Sequence, residues 1–316
     1  MSGYAGGKYG EPLMRLKLLA AAAVAALAAP AGAQQDFSKV EITTERIAPG
    51  VAVLFGAGGN IALSYGEDGN VIVDDQFAPL TDKIERAIRA IDKDPVRFVI
   101  NTHWHFDHTG GNENFGKAGA VILAHDNVRR RMSTDQFIAA MNAKIPPSPK
   151  DALPVVTFAE GVTLHLNGDT LRVVHVANAH TDGDSLVLFE KANVLHMGDT
   201  FFFRDSFPFI DISSGGSIDG LVAAVDKALG IAGPATKVIP GHGPVATRAD
   251  LAAYRAMLAD IRAKVAVGIK GRRTLAQIQA AKPAARYGMP DGFIKPDQFV
   301  AFVHESLLAR RKPHRH

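Results

Sequence analysis

The first half of the chain alternates short apolar runs with clusters of glycine, asparagine and aspartate. Runs such as VAVLF at 51–55 and NVIVDD at 70–75 are typical of β-strands, and Gly-Gly-Asn at 58–60 predicts a hairpin turn. Residues 80–91 differ, because their apolar positions recur at the spacing of a helix. The run VRFVI at 96–100 then predicts a buried strand.

The second half of the chain repeats this order. Apolar runs predict strands at 171–176, 185–190, 193–199 and 237–240, and helical spacing predicts a helix at 218–232. The similarity predicts two related α/β halves, although the spacing is too loose for a sequence repeat. Three further helices are predicted to close the chain, at 248–268, 274–281 and 296–309.

The N-terminal segment has a different composition. Residues 14–33 combine a basic start, an apolar run and small residues near the end, which is the pattern of a secretory signal peptide. We therefore predict a leader at 1–33, cleaved after Ala33, and a periplasmic or secreted protein. The unusual residues before Met14 leave that methionine as an alternative start, and a membrane anchor is the alternative to a cleaved leader.

Residues 34–316 are predicted to form one domain, with a C-terminal helical extension at 270–309. Hydrophobic residues make up 47% of the chain, enough to fill a large core. Without the leader, 32 basic residues face 31 acidic ones, so charge gives no reason to expect a nucleic-acid partner. The expected partner is a small-molecule substrate, and no membrane contact is expected after cleavage of the leader. The sequence does not predict the oligomeric state.

Metal-binding side chains are concentrated in the segment HWHFDH, which contributes His103, His105, Asp107 and His108. His103 and His105 lie two residues apart, so in an extended segment they point to the same side and can hold one cation. Asp107 and His108 at the following turn can reach a second cation. Cysteine is absent, and imidazole with carboxylate suits Zn²⁺ best and Mn²⁺ or Fe²⁺ less exclusively.

Six positions cannot complete two metal sites, so further ligands are expected at other strand ends. His180, Asp199 and His242 each follow an apolar run at a turn, where functional residues concentrate. His165, His175 and His196 are predicted to be structural, and His125 is predicted to be a helix cap or a support for a ligand. The C-terminal His304, His314 and His316 are predicted to have no special role.

The motifs HWHFDH, AHTDGD, MGDT and PGHGP, in this order, resemble the metallo-β-lactamase superfamily of metal-dependent hydrolases over roughly 40–260. The resemblance implies a four-layer αββα sandwich, in which helices flank two mixed sheets and the site lies at one edge. It also implies two zinc ions per chain, with these seven ligands: His103, His105 and His180 for the first ion, Asp107, His108 and His242 for the second, and Asp199 between them.

A dinuclear site of this kind predicts hydrolysis of a carbonyl substrate by a hydroxide that both ions share. Asp107 would help to move the proton. Five residues are candidates to orient the histidines, although each could instead belong to a turn or cap: Asp74, Asp75, Thr109, Asp182 and Asp184. The alternatives are a mononuclear iron enzyme that resembles persulfide dioxygenases, and a metal-binding module without catalysis.

The substrate is predicted less sharply, as a β-lactam-like amide, a lactone or an ester. Established β-lactamases of the family usually have Cys or Ser where Asp199 stands, and many have lysine where Phe202 stands, which disfavours a β-lactam. Arg204 is close enough in sequence to replace that lysine. The segment 200–216 is expected to form an apolar wall beside the metals or part of the core, with three candidate contacts: Phe201, Phe207 and Phe209.

Overall fold

The computed structural model describes residues 36–204, 206–289 and 291–309, so the predicted leader at 1–33 lies outside it. The strands are β1 Thr43–Ala48, β2 Val51–Phe55, β3 Ile61–Ser64, β4 Asn70–Val73, β5 Val96–Ile100, β6 Val121–His125, β7 Gln136–Ile138, β8 Ala143–Ile145, β9 Val156–Phe158, β10 Gly161–Leu166, β11 Asp169–His175, β12 Ser185–Phe189, β13 Val194–His196, β14 Lys237–Ile239 and β15 Ala246–Thr247. The helices are α1 Thr81–Arg89, α2 Phe106–Thr109, α3 Asn112–Lys117, α4 Asp126–Met132, α5 Ile218–Ile231, α6 Arg248–Lys270, α7 Leu275–Ala280 and α8 Pro296–Ala309. No helix in these ranges is long and apolar enough to cross a membrane.

The larger strands form two mixed sheets. One has the order β1-β2-β3-β4-β5-β6-β9 and the other the order β10-β11-β12-β13-β14-β15, while β7 and β8 form a separate hairpin. The first sheet is antiparallel from β1 to β4 and parallel from β4 to β9. In the second sheet, β13 and β14 are parallel and the other pairs are antiparallel.

The two sheets pack face to face, with helices on both outer sides. Val53 and Val73 of the first sheet meet Val187 and Phe189 of the second in one core. Because the opposite face of each sheet is covered as well, β2, β3 and β4 are buried at nearly every position. Helices α1 and α3 cover the first sheet, and α5, α6 and α8 cover the second. This is the expected αββα sandwich, with additional C-terminal helices.

Each half contains two parallel strands that a helix connects, β4-α1-β5 and β13-α5-β14. The carboxyl ends of parallel strands lie at one edge of a sheet, which is where loops form binding sites. Asp74 directly follows β4, His103 follows β5, Asp199 follows β13 and His242 follows β14. The fold therefore gathers residues that are far apart in sequence.

Several elements were not predicted from the sequence. Strand β6 and helix α3 lie between the HWHFDH segment and α4, and short strands such as β7, β8 and β9 follow α4. These elements have three to six residues, too few to show a period. His125 was predicted as a helix cap or ligand support, and its ring Nδ1 accepts a hydrogen bond from the Asn127 N–H at the start of α4.

Candidate metal centre

The seven predicted ligands lie together at the edge of the sandwich. Their ligand atoms form two groups, each with all atoms within 4.8 Å of one another. His103 and His105 lie on the extended segment after β5, and Asp107 and His108 lie on the single-turn helix α2. The other three residues follow strands of the second sheet. The groups are His103, His105, His180 and Asp199, and Asp107, His108 and His242.

The first group is closed from solvent. His180 Nε2 lies 2.9 Å from His105 Nδ1 and 3.7 Å from Asp199 Oδ2. His103 Nε2 lies 3.9 Å from the same carboxylate oxygen. The side chains of these three histidines are at most 6% exposed.

The second group is more open and contacts the other oxygen of Asp199. His108 Nε2 lies 3.1 Å from Asp199 Oδ1, and His242 Nε2 lies 3.4 Å from it. His242 Nε2 is also 3.3 Å from Asp107 Oδ2, and these two side chains are 27% and 24% exposed. Because its two oxygens face different groups, Asp199 lies between them.

The donor set fits metal ions. His103 Nε2 is buried and has no hydrogen-bond partner among the described residues. His105 Nδ1 and His180 Nε2 face each other, and at most one of them can carry a proton without repulsion. Imidazole nitrogen and carboxylate oxygen are the ligands that zinc and similar divalent ions take.

Most of the histidine rings are oriented by a partner on the other ring nitrogen. Asp211 Oδ2 lies 3.1 Å from His105 Nε2, and the Phe209 carbonyl accepts from His180 Nδ1 at 2.8 Å. His103 Nδ1 lies 3.0 Å from the Thr102 hydroxyl. Such partners fix the tautomer that leaves the opposite nitrogen free to bind a metal.

Asp74 serves both groups. Its Oδ2 lies 2.8 Å from His108 Nδ1 and accepts from the Thr102 hydroxyl at 2.7 Å, and that hydroxyl contacts His103. Asp74 thus orients a histidine, as expected. Asp211, which contacts His105, was missed, because nothing in its local sequence marks it as different from a turn residue.

The other four candidates for orienting residues serve the backbone or other side chains. Asp75 accepts from the Gly111 N–H at 2.8 Å, and the Thr109 hydroxyl donates to the His105 carbonyl at 3.1 Å. Asp182 pairs with arginines of α4, and Asp184 accepts from Thr181. Among the described contacts, these four residues hold loops and helices in place and do not reach a ring nitrogen of a predicted ligand.

The charges in the site divide by group. Burial lowers the pKa of His180 to about 4 and lowers that of His103 well below its usual value, so both rings are neutral at pH 7. Burial alone would lower the pKa of His242, but Asp199 and Asp107 raise it to about 9. Burial alone would raise the pKa of Asp107, but His108 and His242 lower it to about 2. The carboxylates therefore attract positive charge, which a divalent cation supplies more strongly than a proton does.

Two glycines let the backbone approach the ligands. A Cβ on Gly59 would lie 2.1 Å from Cε1 of the His108 ring, and one on Gly241 would lie 2.0 Å from Asp199 Oδ1. Carbon atoms cannot approach so closely, so any side chain at these positions would displace a predicted ligand.

The aromatic segment after Asp199 only partly forms the expected wall. Phe209 packs against His105, with ring centroids 5.9 Å apart, whereas Phe201 packs on Tyr254 and Phe207 on Phe299. Phe202 stacks on His242, with centroids 5.1 Å apart and an interplanar angle of 24°. The Arg204 guanidinium lies over the Phe203 ring. Within this segment, Phe202 and Phe209 are thus the aromatic residues that pack on predicted ligands.

The sequence matches a known family over most of this fold. The model of the metallo-beta-lactamase superfamily matches residues 55–249, which is more than half of the chain and includes all seven predicted ligands. The chain therefore belongs to the metallo-β-lactamase superfamily.

The chain is also similar to two further proteins and to one solved structure. The hydroxyacylglutathione hydrolase of Anaeromyxobacter dehalogenans is 30% identical over 211 residues, which cover 61% of this chain and 70% of that protein. The acyl-coenzyme A thioesterase MBLAC2 of Bos taurus is 24% identical over 159 residues, 46% of this chain and 55% of that protein. A metallo-beta-lactamase from Pontibacter korlensis has a TM-score of 0.56 at 20% identity, covering 70% of this chain and 100% of that chain.

These matches and the histidine and aspartate cluster support a metal-dependent hydrolase in general terms. The likeness to the solved structure concerns the fold alone, because the sequence identity is low.

Proposed function

We propose that the protein is a dinuclear zinc hydrolase that cleaves an apolar ester, lactone or thioester in preference to a β-lactam. The observation that carries the proposal is the pair of adjoining ligand groups with Asp199 between them. His103, His105 and His180 would hold one ion, Asp107, His108 and His242 would hold the other, and Asp199 would contact both.

Two zinc ions in these groups would supply a nucleophilic hydroxide at neutral pH and a Lewis acid for the carbonyl oxygen. The protein's own part is to position the metal-binding side chains and to keep solvent away from the first group. Burial in the closed first group keeps the imidazoles of His103 and His180 neutral and free to bind. Asp107 is partly exposed and ionised at neutral pH, so its carboxylate can accept a hydrogen bond from an attacking water and orient it.

Substrate preference rests on the apolar residues beside the open group. Phe202 covers the His242 ring, at the position where many β-lactamases of the family carry a lysine for the substrate carboxylate. The Arg204 guanidinium lies over the Phe203 ring rather than over the His242 ring, so we do not assign it the role of that lysine. The similar proteins are named for hydroxyacylglutathione and acyl-coenzyme A, which is consistent with an activated carbonyl substrate.

A hydrolysis panel tests the proposal. The zinc-loaded protein is assayed with a γ-lactone, an aryl ester, an acyl thioester and the chromogenic β-lactam nitrocefin. We expect turnover of at least one of the first three, with nitrocefin cleaved much more slowly. In His105→Ala, turnover is expected to fall on the order of a thousandfold or more. Nitrocefin as the only substrate would contradict the stated preference.

The Phe202→Lys variant sharpens this test. A lysine beside the open group is expected to improve KM for nitrocefin, which carries a carboxylate, and to worsen KM for the uncharged ester. Equal changes for both substrates would indicate that Phe202 acts by packing rather than by selecting the substrate.

Export to the periplasm or the medium is part of the proposal and rests on the sequence of residues 14–33. N-terminal sequencing of protein purified from the periplasm or medium is expected to begin after Ala33. An intact leader in the membrane fraction would favour an anchor instead.

A further inference from the structure

We infer that Asn60 is a positioning residue for the second metal site, because it fixes the loop that carries His242. The inference rests on the proposed dinuclear function and adds a residue that contacts no metal. Asn60 lies just before β3, in the segment predicted as a hairpin turn, and it is 4% exposed.

His242 is held differently from the other four predicted histidine ligands. Those four have a partner on the ring nitrogen that faces away from the site: Thr102, Asp211, Asp74 and the Phe209 carbonyl. Among the described residues, the polar contacts of the His242 ring are all made by Nε2, the atom that faces the site. Its direction therefore depends on its backbone and on the Phe202 ring stacked against it.

The backbone on both sides of His242 is bound by Asn60. The Asn60 N–H donates to the Gly241 carbonyl at 2.8 Å. Its side-chain amide donates to the Pro240 carbonyl at 2.9 Å and to the Gly243 carbonyl at 2.8 Å. One buried residue thus holds the carbonyl groups of three of the four residues in the segment 240–243.

This segment depends on an external support. Gly243 has a φ of 105°, a conformation that few residues other than glycine adopt. Gly241 has no room for a side chain, because a Cβ would meet Asp199. Two glycines beside His242 leave the chain flexible unless hydrogen bonds fix it. Asn60 provides three of these bonds, and the segment after β13 provides others: the Gly241 N–H donates to the Gly198 carbonyl at 2.8 Å, and the Phe203 N–H donates to the His242 carbonyl at 3.0 Å.

The same residue also reaches the loop of Asp199. The Asn60 carbonyl accepts from His196 Nε2 at 3.0 Å, and His196 Nδ1 accepts from the Gly198 N–H at 3.1 Å. His196 is fully buried and uses both ring nitrogens, so it carries one fixed tautomer. Asn60 therefore links the peptide before Asp199 to the peptides around His242.

Replacement of Asn60 by alanine tests the inference. The variant leaves two buried carbonyls without their donor and allows the His242 loop to move. We expect its affinity for the second zinc ion to fall about 10- to 100-fold, as for other residues that orient metal ligands, with the first ion's affinity changed by less than about threefold. Stepwise affinities are measured by calorimetry against a competing chelator, and the absorption spectrum of the cobalt-loaded protein reports the ligand environment of each ion.

Asn70→Ala is the matched control. Asn70 is also buried, begins the neighbouring strand β4, and donates its amide to the Asp94 carbonyl, but it lies at the opposite end of β4 from Asp74. It is expected to lower thermal stability while leaving both zinc affinities unchanged. Asn60→Ser keeps one side-chain donor and is expected to lose less second-ion affinity than Asn60→Ala. If the alanine variant does not fold, the serine variant is compared with the wild type instead.

The outcomes separate this inference from the proposed function. A wild-type protein that takes up one ion per chain overturns both. A wild-type protein that takes up two ions, with unchanged second-ion affinity in both Asn60 variants, overturns the inference alone. Equal losses at both ions in Asn60→Ala would also overturn it, because they would indicate a general loss of structure.

Discussion

The two ligand groups of this site differ in how much solvent reaches them and in how firmly their side chains are held. In the first group, His103 and His180 are at most 1% exposed, and each ring has a polar partner on its outer nitrogen. In the second group, Asp107 and His242 are about one quarter exposed. Among the residues that the structure describes, the outer side of the His242 ring has the stacked Phe202 ring and no polar partner.

This difference suggests that the two groups have different roles, tight metal binding in the first and access for water and substrate in the second. Buried ligands with fixed tautomers need little rearrangement to bind an ion, which favours high affinity. An open group keeps space for water and substrate, as catalytic metal sites require. We therefore expect the first ion to bind more tightly and the second site to be the more sensitive to its surroundings.

Removal of a first-group ligand should have the largest effect. His105→Ala removes an imidazole that faces His180, and we expect turnover to fall on the order of a thousandfold or more, since loss of charge stabilisation alone costs about 10²–10³. Zinc content is measured alongside kcat/KM. Full zinc content with normal turnover would contradict the assignment of His105.

A side chain at Gly59 should damage the second group selectively. In Gly59→Ala the added carbon meets the His108 ring, so we expect about a 100-fold loss of second-ion affinity, at the upper end of what disturbed ligand support costs. Gly230→Ala is the control, because a Cβ there has open space, and it should bind zinc normally. Loss of the first ion instead of the second would break the comparison.

Replacing the two carboxylates that orient histidines should give smaller and different losses. Asp211→Asn weakens the support of His105 alone, and we expect about a tenfold loss of first-ion affinity. Asp74→Asn should weaken both ions, because Asp74 contacts His108 directly and His103 through Thr102. Calorimetric titration of both variants measures this, and a loss confined to one ion in Asp74→Asn would contradict the proposed path.

The smallest expected effect is on the pH dependence of stability, and it comes from two histidines outside the site. His125 and His175 stack with centroids 3.7 Å apart, and burial, with the charge of the neighbouring ring, lowers the pKa of His175 below 6.5, while burial lowers that of His125. The unfolded chain therefore takes up protons first as pH falls. The contribution of these two neutral histidines to folding stability is fully present above pH 6.5 and is lost progressively as the pH falls below it.

Metal-free protein in chelator reports this pH dependence. Between pH 7.5 and 5.5, His175→Gln should lose about 2–4 °C less in Tm than the wild type, a shift typical of small free-energy changes in a domain of this size. His165→Gln, at an exposed position, is the control. An identical pH dependence in all three proteins would assign the effect to other groups.

The sequence identified the seven residues that the fold brings together, because they follow strand ends and carry distinctive chemistry. His180, Asp199 and His242 could be identified because each follows an apolar run at a turn. The supports were harder to predict, because Asp211 and Asn60 resemble ordinary turn residues until distant segments are brought against them. Phe201 and Phe202 show the same limit: one is core and the other lies on a ligand, and an irregular segment has no period to distinguish them.

Stepwise zinc titration of the metal-free wild-type protein, followed by calorimetry and native mass spectrometry, tests the central claim most directly. We expect two ions per chain, with the first bound at least about tenfold more tightly than the second, as the difference in ligand support implies. Saturation at one ion per chain, or purification with a single iron and oxygen uptake that depends on sulfide, would contradict a dinuclear hydrolase. Two ions of equal affinity would contradict the difference between the groups.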